Sequence, residues 1–595
     1  MIERMKKITL LISEKDKELF ISDLRKAGVV HIKSVKEPVS HDIQFVQDKI
    51  DKVDQMIATL ELYKTDDVAD ATERDDRHML DVEQEVRENS AEKEQLITEA
   101  RELKTQKKWY EAWGAFDPAD LNSLRENGID LKLYRADRNI LKKIPEDMEY
   151  KILRRDRANI YLAVLGDQDV TSLPMEEAQT QERAPGEVNS LLETKEKRIE
   201  SIEDSFRRKA GCLEEMRHCL SRLEKGMEFL NVKYGMQQEE KFAYMQGFCP
   251  EKKVNKIKDL AGEKGAGYFV EDPADEDEPP TLITNPAWIR IIDPVFQFMN
   301  TIPGYKEFDI SMVFLIFFSL FFAMLVGDAG YGSIFLVVTF LVRMKFKKAP
   351  REPFSLMYIL SVATIIWGML SGTWFGSETI NQLPGVRHFV IDGLDSFGKG
   401  SQAFVIYLCF VIGAVHLTLA RMIRCIRYIN HLKAIAEAGW MLIIWGMFFA
   451  AGKLVLGRPF PVVAGGLLLG GILLVLVFAN SQKNMFKGMA QTMTQLPLSV
   501  IGSFSDVVSY LRLFAVGYAT VVLASTFNEM ALGGGGPKGI LGTLCAALIL
   551  FVGHGLNILL SMMAVVVHGI RLNMLEFSGH LGMQWAGDKY NPFKE

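Results

Sequence analysis

The sequence predicts a mostly α-helical protein. A cytosolic antiparallel coiled-coil arm with small α/β modules comes first, followed by an eight-helix transmembrane domain with two long tilted C-terminal helices. Three observations predict this. Charge is divided unevenly: residues 1–290 hold 48 Lys+Arg and 61 Asp+Glu, residues 291–595 only 21 and 14. Heptads of apolar residues mark the first half, and apolar runs long enough to cross a bilayer mark the second. Nearly all the polar groups within those runs lie in the last two. The acidic first half argues against nucleic acid, which needs a clustered basic face.

The N-terminal "MIERMKKITLLISEKDKELF" has basic residues and a short apolar run, but acids follow at once and no cleavage site appears, so no signal peptide is expected. "KKITLLI", "SEKDKELFISDLRKAG" and "VVHIKSV" read as strand, helix and strand, with Ser13 as N-cap and Gly28 as the stop, a module over 1–40. Ile43, Val46, Ile50, Val53, Ile57 and Leu60 then recur at 3-4 spacing. A second run extends from Leu192 to Leu230, its seam broken only by Lys195 and Lys209. Coiled coil is therefore expected at about 41–112 and 185–235, around a globular tip at about 113–184 that contains "NIYLAVLG". Such heptads suit a dimerising rod or an intramolecular arm, and the returning chain favours the arm. A second α/β module at about 240–270 and an acidic linker at 271–290 ("EDPADEDEPPT") complete the domain. The six cysteines form no CxxC and no zinc spacing, so no metal site or cofactor is expected. Cys212 and Cys219, about 10 Å apart by helical rise, are too distant for a disulfide.

Apolar segments recur at about 309–326, 330–343, 355–376, 402–420, 434–452, 460–480, 497–531 and 540–577. They make eight spans if "VGDAGYG" (326–332) divides the first long run; one bent span is the alternative. Cations follow the even runs: Arg343, Lys345, Lys347, Lys348 and Arg351, then Arg421, Arg424, Arg427 and Lys433, then Lys483 and Lys487. Loops after odd runs hold few, namely Arg387, Lys399, Arg458 and Lys538. The positive-inside rule places the even loops, both termini and the soluble half in the cytoplasm.

The last two runs, about 35 and 38 residues, exceed the roughly 20 that a span needs. His554, Asn557, Ser561, Ala564, His568, Arg571 and Leu575 recur at α-helical spacing on the last, and Ser505, Ser509 and Arg512 on the one before. Two polar stripes on neighbouring helices suit a hydrated path. Plainer readings stand beside this one. Arg571 is near enough to the cytoplasmic end to snorkel, His554 and His568 suit interhelical hydrogen bonds, and Ser505 and Ser509 suit bonds to helix carbonyls. Asp506 suits a helix start. Arg512, about 22 Å along its helix, resists a plain reading best. Asp506 and Glu576 fall toward the cytoplasmic ends and Glu529 toward the far end, so its partner carboxylate is expected from another subunit.

"SYLRLFAVGYA" (509–519), "HGIRLNMLEF" (568–577) and "VGDAGYG" resemble subunit a of vacuolar-type and archaeal-type rotary ATPases, called subunit I in prokaryotes. The resemblance covers the whole chain. It implies a stator whose last two helices face a rotating proteolipid ring (subunit c or K), with Arg512 as the essential arginine and Arg571 as the second. It also implies peripheral-stalk subunits E and G and the central-stalk socket subunit (d or C) as partners of the arm. The expected location is a prokaryotic inner membrane. Thr520 and Asn573 stand where eukaryotic members have or often have histidine. The half-channel candidates are therefore Asp506, Ser505, Ser509, Thr520, Glu529, His554, Asn557, Ser561, His568, Asn573 and Glu576. No GxxxxGK[ST] is present, and "GGGGPKG" (533–539) reads as a loop between the last two spans, so no ATP hydrolysis by the chain itself is expected. A secondary transporter with a regulatory coiled coil is the alternative, although no internal repeat supports it.

Overall fold

The computed structural model describes all residues except 1, 65–75, 138–139, 141–143, 145–147, 157–158, 166–174, 240, 399, 481–484 and 534–538, and the side chains of 76–81 and 485–488. Lys399, Lys483, Lys538, most of "GGGGPKG" and the side chain of Lys487 lie outside the described residues.

Two compact units are present, one comprising 1–10, 27–33 and 246–594, the other 11–26 and 34–245 with residue 595. In chain order the soluble elements begin with β1 (Met5–Ser13), α1 (Lys17–Ala27) and β2 (His31–Lys33). Then come α2 (His41–Glu61), α3 (Asp76–Trp113), α4 (Pro118–Glu126) and strands β3 (Leu131–Asp137), β4 (Tyr150–Arg155), β5 (Asn159–Leu165) and β6 (Met175–Glu177). Helices α5 (Pro185–Ala210) and α6 (Leu213–Gly235) return, followed by β7 (Gln237–Glu239), β8 (Phe242–Pro250), α7 (Val254–Glu263) and β9 (Gly267–Glu271). Ser13 ends β1 and does not cap α1, because three turn residues intervene; Gly28, at φ 61°, ends the helix as expected.

The heptads close on themselves. Val53, Met56, Ile57 and Leu60 of α2 pack with Ile202, Phe206, Leu213 and Met216 of the returning helices, so the arm is intramolecular. The two seam-breaking lysines find acids on α3: Lys209 pairs with Glu85 at 2.5 Å and Lys195 with Glu99. Strands β4-β5-β3-β6 form an antiparallel sheet at the tip. The other sheet runs β2-β8-β1-β9, with β7 beside β8. All six cysteines are free, and burial pushes the Cys249 thiol up to about 12.

The membrane half continues with α8 (Ala287–Arg290), α9 (Asp293–Met299), α10 (Ser311–Val326), α11 (Ala329–Lys345), α12 (Arg351–Ser371), α13 (Glu378–Asn381) and α14 (Pro384–Arg387). It ends with α15 (Ser401–Arg427), α16 (Lys433–Leu456), α17 (Val462–Phe478), α18 (Met485–Ser509), α19 (Leu511–Leu532), α20 (Gly539–Ala564) and α21 (Ser578–Leu581). Among the described residues five stretches are long and apolar enough to cross a membrane. The last two of these, Met489–Leu532 and Gly539–Leu581, run to 44 and 43 residues, longer than the apolar pattern suggested. Helix α17, with 17 residues, is apolar but shorter.

Helices α10 and α11 meet at 119° across "VGDAGYG", so the first long run is two helices, which are long and apolar enough to cross a membrane only when taken together. Gly327 takes φ 70° to end α10. Asp328 then caps α11, accepting from the amides of Gly330 (2.8 Å) and Tyr331 (3.2 Å), and also from Phe375 (2.9 Å) and Gly376 (2.9 Å). Four amides satisfy a carboxylate that is only 2% exposed. A large core of aromatic and aliphatic side chains joins α10, α15, α16, α18 and α19.

Candidate functional site

The two long helices are both irregular where they carry charge. Helix α18 stops at Ser509 and α19 starts at Leu511, with Tyr510 as the single residue between. The break frees a carbonyl, and Arg512 Nε donates to that of Ser509 at 3.0 Å. On the last span, regular α-helix ends at Ala564, and residues Val565–Gly569 and Leu572–Phe577 wind as π-helix. A π turn brings i and i+5 together. Arg571 and Glu576 are five apart, and Arg571 Nε lies 3.7 Å from Glu576 Oε1.

Arg512 completes the cluster. Its Nη2 donates to Glu576 Oε1 at 2.5 Å. This overturns the expectation that Arg512 lacks a carboxylate within the chain. An α-helical reading of the last span put Glu576 toward its cytoplasmic end and off the polar stripe; the π winding turns it inward. Glu576 is 6% exposed, and its Oε2 has no hydrogen-bond partner among the described residues.

Asp506 lies twenty-one residues into α18, not at a helix start, and its Oδ2 is 2.9 Å from His580 Nε2. Arg421 Nε donates to His580 Nδ1 at 3.0 Å, and Arg421 Nη1 to Glu437 at 2.9 Å. Arg424 pairs with the other oxygen of Glu437 at 2.9 Å. A cavity of about 450 Å³ is lined by these five residues and by Glu576. Charges on α15, α16, α18 and the last span thus converge beside the Arg512 pair. Arg421, Arg424, Glu437 and His580 were not among the sequence candidates. Glu437 offered a signal, being an acid within the fifth apolar run, whereas Arg421 and Arg424 read only as topogenic cations.

A second polar group surrounds the α10–α11 bend. Tyr331 Oη is 2.7 Å from His554 Nδ1, and His554 Nε2 is 3.1 Å from Asn528 Oδ1. Asn557 Nδ2 donates to Tyr331 Oη (3.0 Å) and to the Thr520 carbonyl (2.9 Å). Tyr331 and Asn528 were missed, since each is a single polar residue in a run of another pattern.

The remaining candidates divide. Thr520, Ser509 and Ser561 are back-bonded through their hydroxyls to Gly517 (2.7 Å), Asp506 (2.7 Å) and Asn557 (2.7 Å). For Ser509 this is the plainer reading. Ser505 and Glu529 are exposed. Asn573 is fully buried and donates to the Gly569 carbonyl at 3.3 Å. His568 is half-buried, and its Nδ1 has no hydrogen-bond partner among the described residues. The single polar stripe does not persist along the last span. Asn557 and Ser561 are buried, while Arg571 and Leu575, beyond the first π segment, are exposed.

No family model matches the chain. Curated relatives do. A V-type ATP synthase subunit I from Borreliella burgdorferi is 30% identical over 621 residues, covering all of both chains. A V-type ATP synthase subunit I 1 from Treponema pallidum is 29% identical over 628 residues, again covering both in full. An A-type ATP synthase subunit I from Methanocaldococcus jannaschii is 26% identical over 457 residues, 69% of this chain and 64% of its own.

Proposed function

The chain belongs to the subunit I family of V-type and A-type ATP synthases, and from that premise we propose that it is the stator that carries ions past the rotating ring. It is an integral membrane protein and a non-catalytic subunit of its complex. In this reading eight spans cross the membrane, with α10, α11 and α17 among them and both termini in the cytoplasm. The arm holds peripheral-stalk subunits E and G and the central-stalk socket subunit, while the last two spans face the proteolipid ring. Nucleotide is hydrolysed or made elsewhere in the complex.

The observation that carries the proposal is Arg512, held at a helix break, 2.5 Å from Glu576 and beside a charged cavity. A guanidinium stays ionised at any working pH. Facing a ring carboxylate, it favours the ionised form and so expels the bound H⁺ or Na⁺. Glu576 is the counter-ion that holds Arg512 when no ring carboxylate is opposite, since breaking the pair would leave the buried carboxylate uncompensated at a cost of several kcal/mol. The cavity lined by Asp506, Glu437 and His580 supports a half-channel from the cytoplasm. The Tyr331, His554, Asn528 and Asn557 group supports one from the far side.

The test is coupled transport by the complete complex in vesicles. Arg512→Ala and Arg512→Lys are expected to abolish it while the complex still assembles; uptake at the wild-type rate in both would overturn the proposal. Parallel assays with ²²Na⁺ and a pH-sensitive dye identify the ion.

A further inference from the structure

One buried titratable side chain has no part in the ion path described above. His416, on α15, is fully buried. Its ring lies nearly parallel between those of Phe317 (centroids 3.9 Å apart, 20°) and Phe577 (4.3 Å, 10°). Its Nδ1 is 2.8 Å from the hydroxyl of Tyr510. Its Nε2 has no hydrogen-bond partner among the described residues.

The two side chains it grips are neighbours of the ion pair. Tyr510 is the break residue, two before Arg512, and Phe577 directly follows Glu576. Tyr510 is itself fully buried, and α15 makes room for it: a Cβ at Gly413 would stand 2.7 Å from the Tyr510 ring. Phe321 closes the group edge-on against both His416 and Tyr510. A phenylalanine at 416 would stack on the same two rings and carry no unpaired nitrogen of its own, but would leave the buried Tyr510 hydroxyl without its bond. Burying an imidazole with an unpaired nitrogen costs free energy. What the imidazole adds over phenylalanine is the bond to Tyr510.

Resting on the reading of Arg512 above, we propose that His416 is a positioning residue, which sets the separation of Arg512 from Glu576 by holding Tyr510 with a hydrogen bond and Phe577 by stacking. At the single-residue break the backbone of Tyr510 is held by three-residue bonds, from its N–H to the Val507 carbonyl (3.4 Å) and from the Leu513 N–H to its own carbonyl (3.0 Å), so its hydroxyl is a handle on backbone that lacks the full α pattern and carries Arg512. The π winding does the same for Phe577, whose segment is not fixed by α-helical bonds. One rigid ring in contact with both keeps guanidinium and carboxylate in register as ring carboxylates pass.

The test uses the complete complex in vesicles and reads ions moved per ATP hydrolysed, together with subunit copurification. Tyr510→Phe removes only the hydroxyl, and His416→Phe removes the nitrogens but keeps the stack. Each is expected to lower the ratio about three- to tenfold, the worth of one neutral hydrogen bond, with the complex intact. The double variant is expected to fall no further than the worse single one, because both remove the same bond. Ratios within about twofold of wild type, or losses that multiply in the double variant, overturn the proposal. If His416→Phe does not assemble, Tyr510→Phe alone decides, and failure of both to assemble assigns the pair to folding and also overturns it. Transport surviving Arg512→Ala would instead overturn the function itself.

Discussion

The coiled-coil arm and the last two membrane spans both join antiparallel helices through arginine–glutamate pairs, with opposite consequences for the backbone. In the arm, Arg198 meets Glu92 through two bonds of 2.7 Å while both side chains stay largely exposed, 52% and 40%. Water already solvates such charges, so the pair is an ornament on helices held by their apolar seam. In the last two spans, Arg512 meets Glu576 with the arginine 25% and the glutamate 6% exposed. There the pair cannot be separated cheaply, and both helices depart from α geometry around it: one breaks at Tyr510, the other winds as π at 565–569 and 572–577. Where water is excluded, charge dictates backbone; where water is present, backbone tolerates charge.

The largest expected effect comes from removing the π winding. Deleting Met574 closes the second π segment toward α and rotates Glu576 away from Arg512. Ion uptake by the reconstituted complex should then fall to background, and uptake persisting would show that the winding is incidental. Replacing the carboxylate is the next step down. Glu576→Leu should cut uptake by at least about tenfold through an unpaired guanidinium, with Glu576→Asp intermediate; equal rates in all three would remove Glu576 from the path.

A smaller effect is expected from the close approach of α19 to α10. A Cβ on Gly517 would stand 2.3 Å from the carbonyl oxygen of Met324, a clash with backbone that cannot swing aside. Gly517→Ala should cost about 1–3 kcal/mol, seen as a lower thermal midpoint of the detergent-solubilised protein; an unchanged midpoint would mean the helices can separate freely. Smallest of all is the arm pair. Arg198→Ala should leave thermal midpoint and transport indistinguishable from wild type, and a measurable loss in either would erase the contrast between the two regions.

Much of this was legible in the chain. Heptads at 43–60 and 192–230 foretold helices that pack, because their seam depends only on spacing. "VGDAGYG" foretold a division, because Gly327 and Asp328 are a helix stop and a helix cap. Arg512 stood out by cost alone. The polar stripe was misread past Ala564, because α periodicity was carried into residues that wind as π, and side-chain identity does not announce that change. Glu437 and His580 escaped notice for another reason: their partners, Arg421 and Arg424 for the one and Arg421 and Asp506 for the other, lie more than a dozen residues away in sequence.

By itself, then, the sequence determined where the chain is wetted and where it is not, which helices form, and that one arginine sits at great cost among apolar neighbours. These follow from local composition and period. Only the tertiary structure decided what that arginine meets. The answer depends on a helix break at Tyr510, a change of winding near Glu576 and a third helix bringing His416 between them. Those are settled by how buried groups 64 or more residues apart find partners once water is gone, and no local pattern records it.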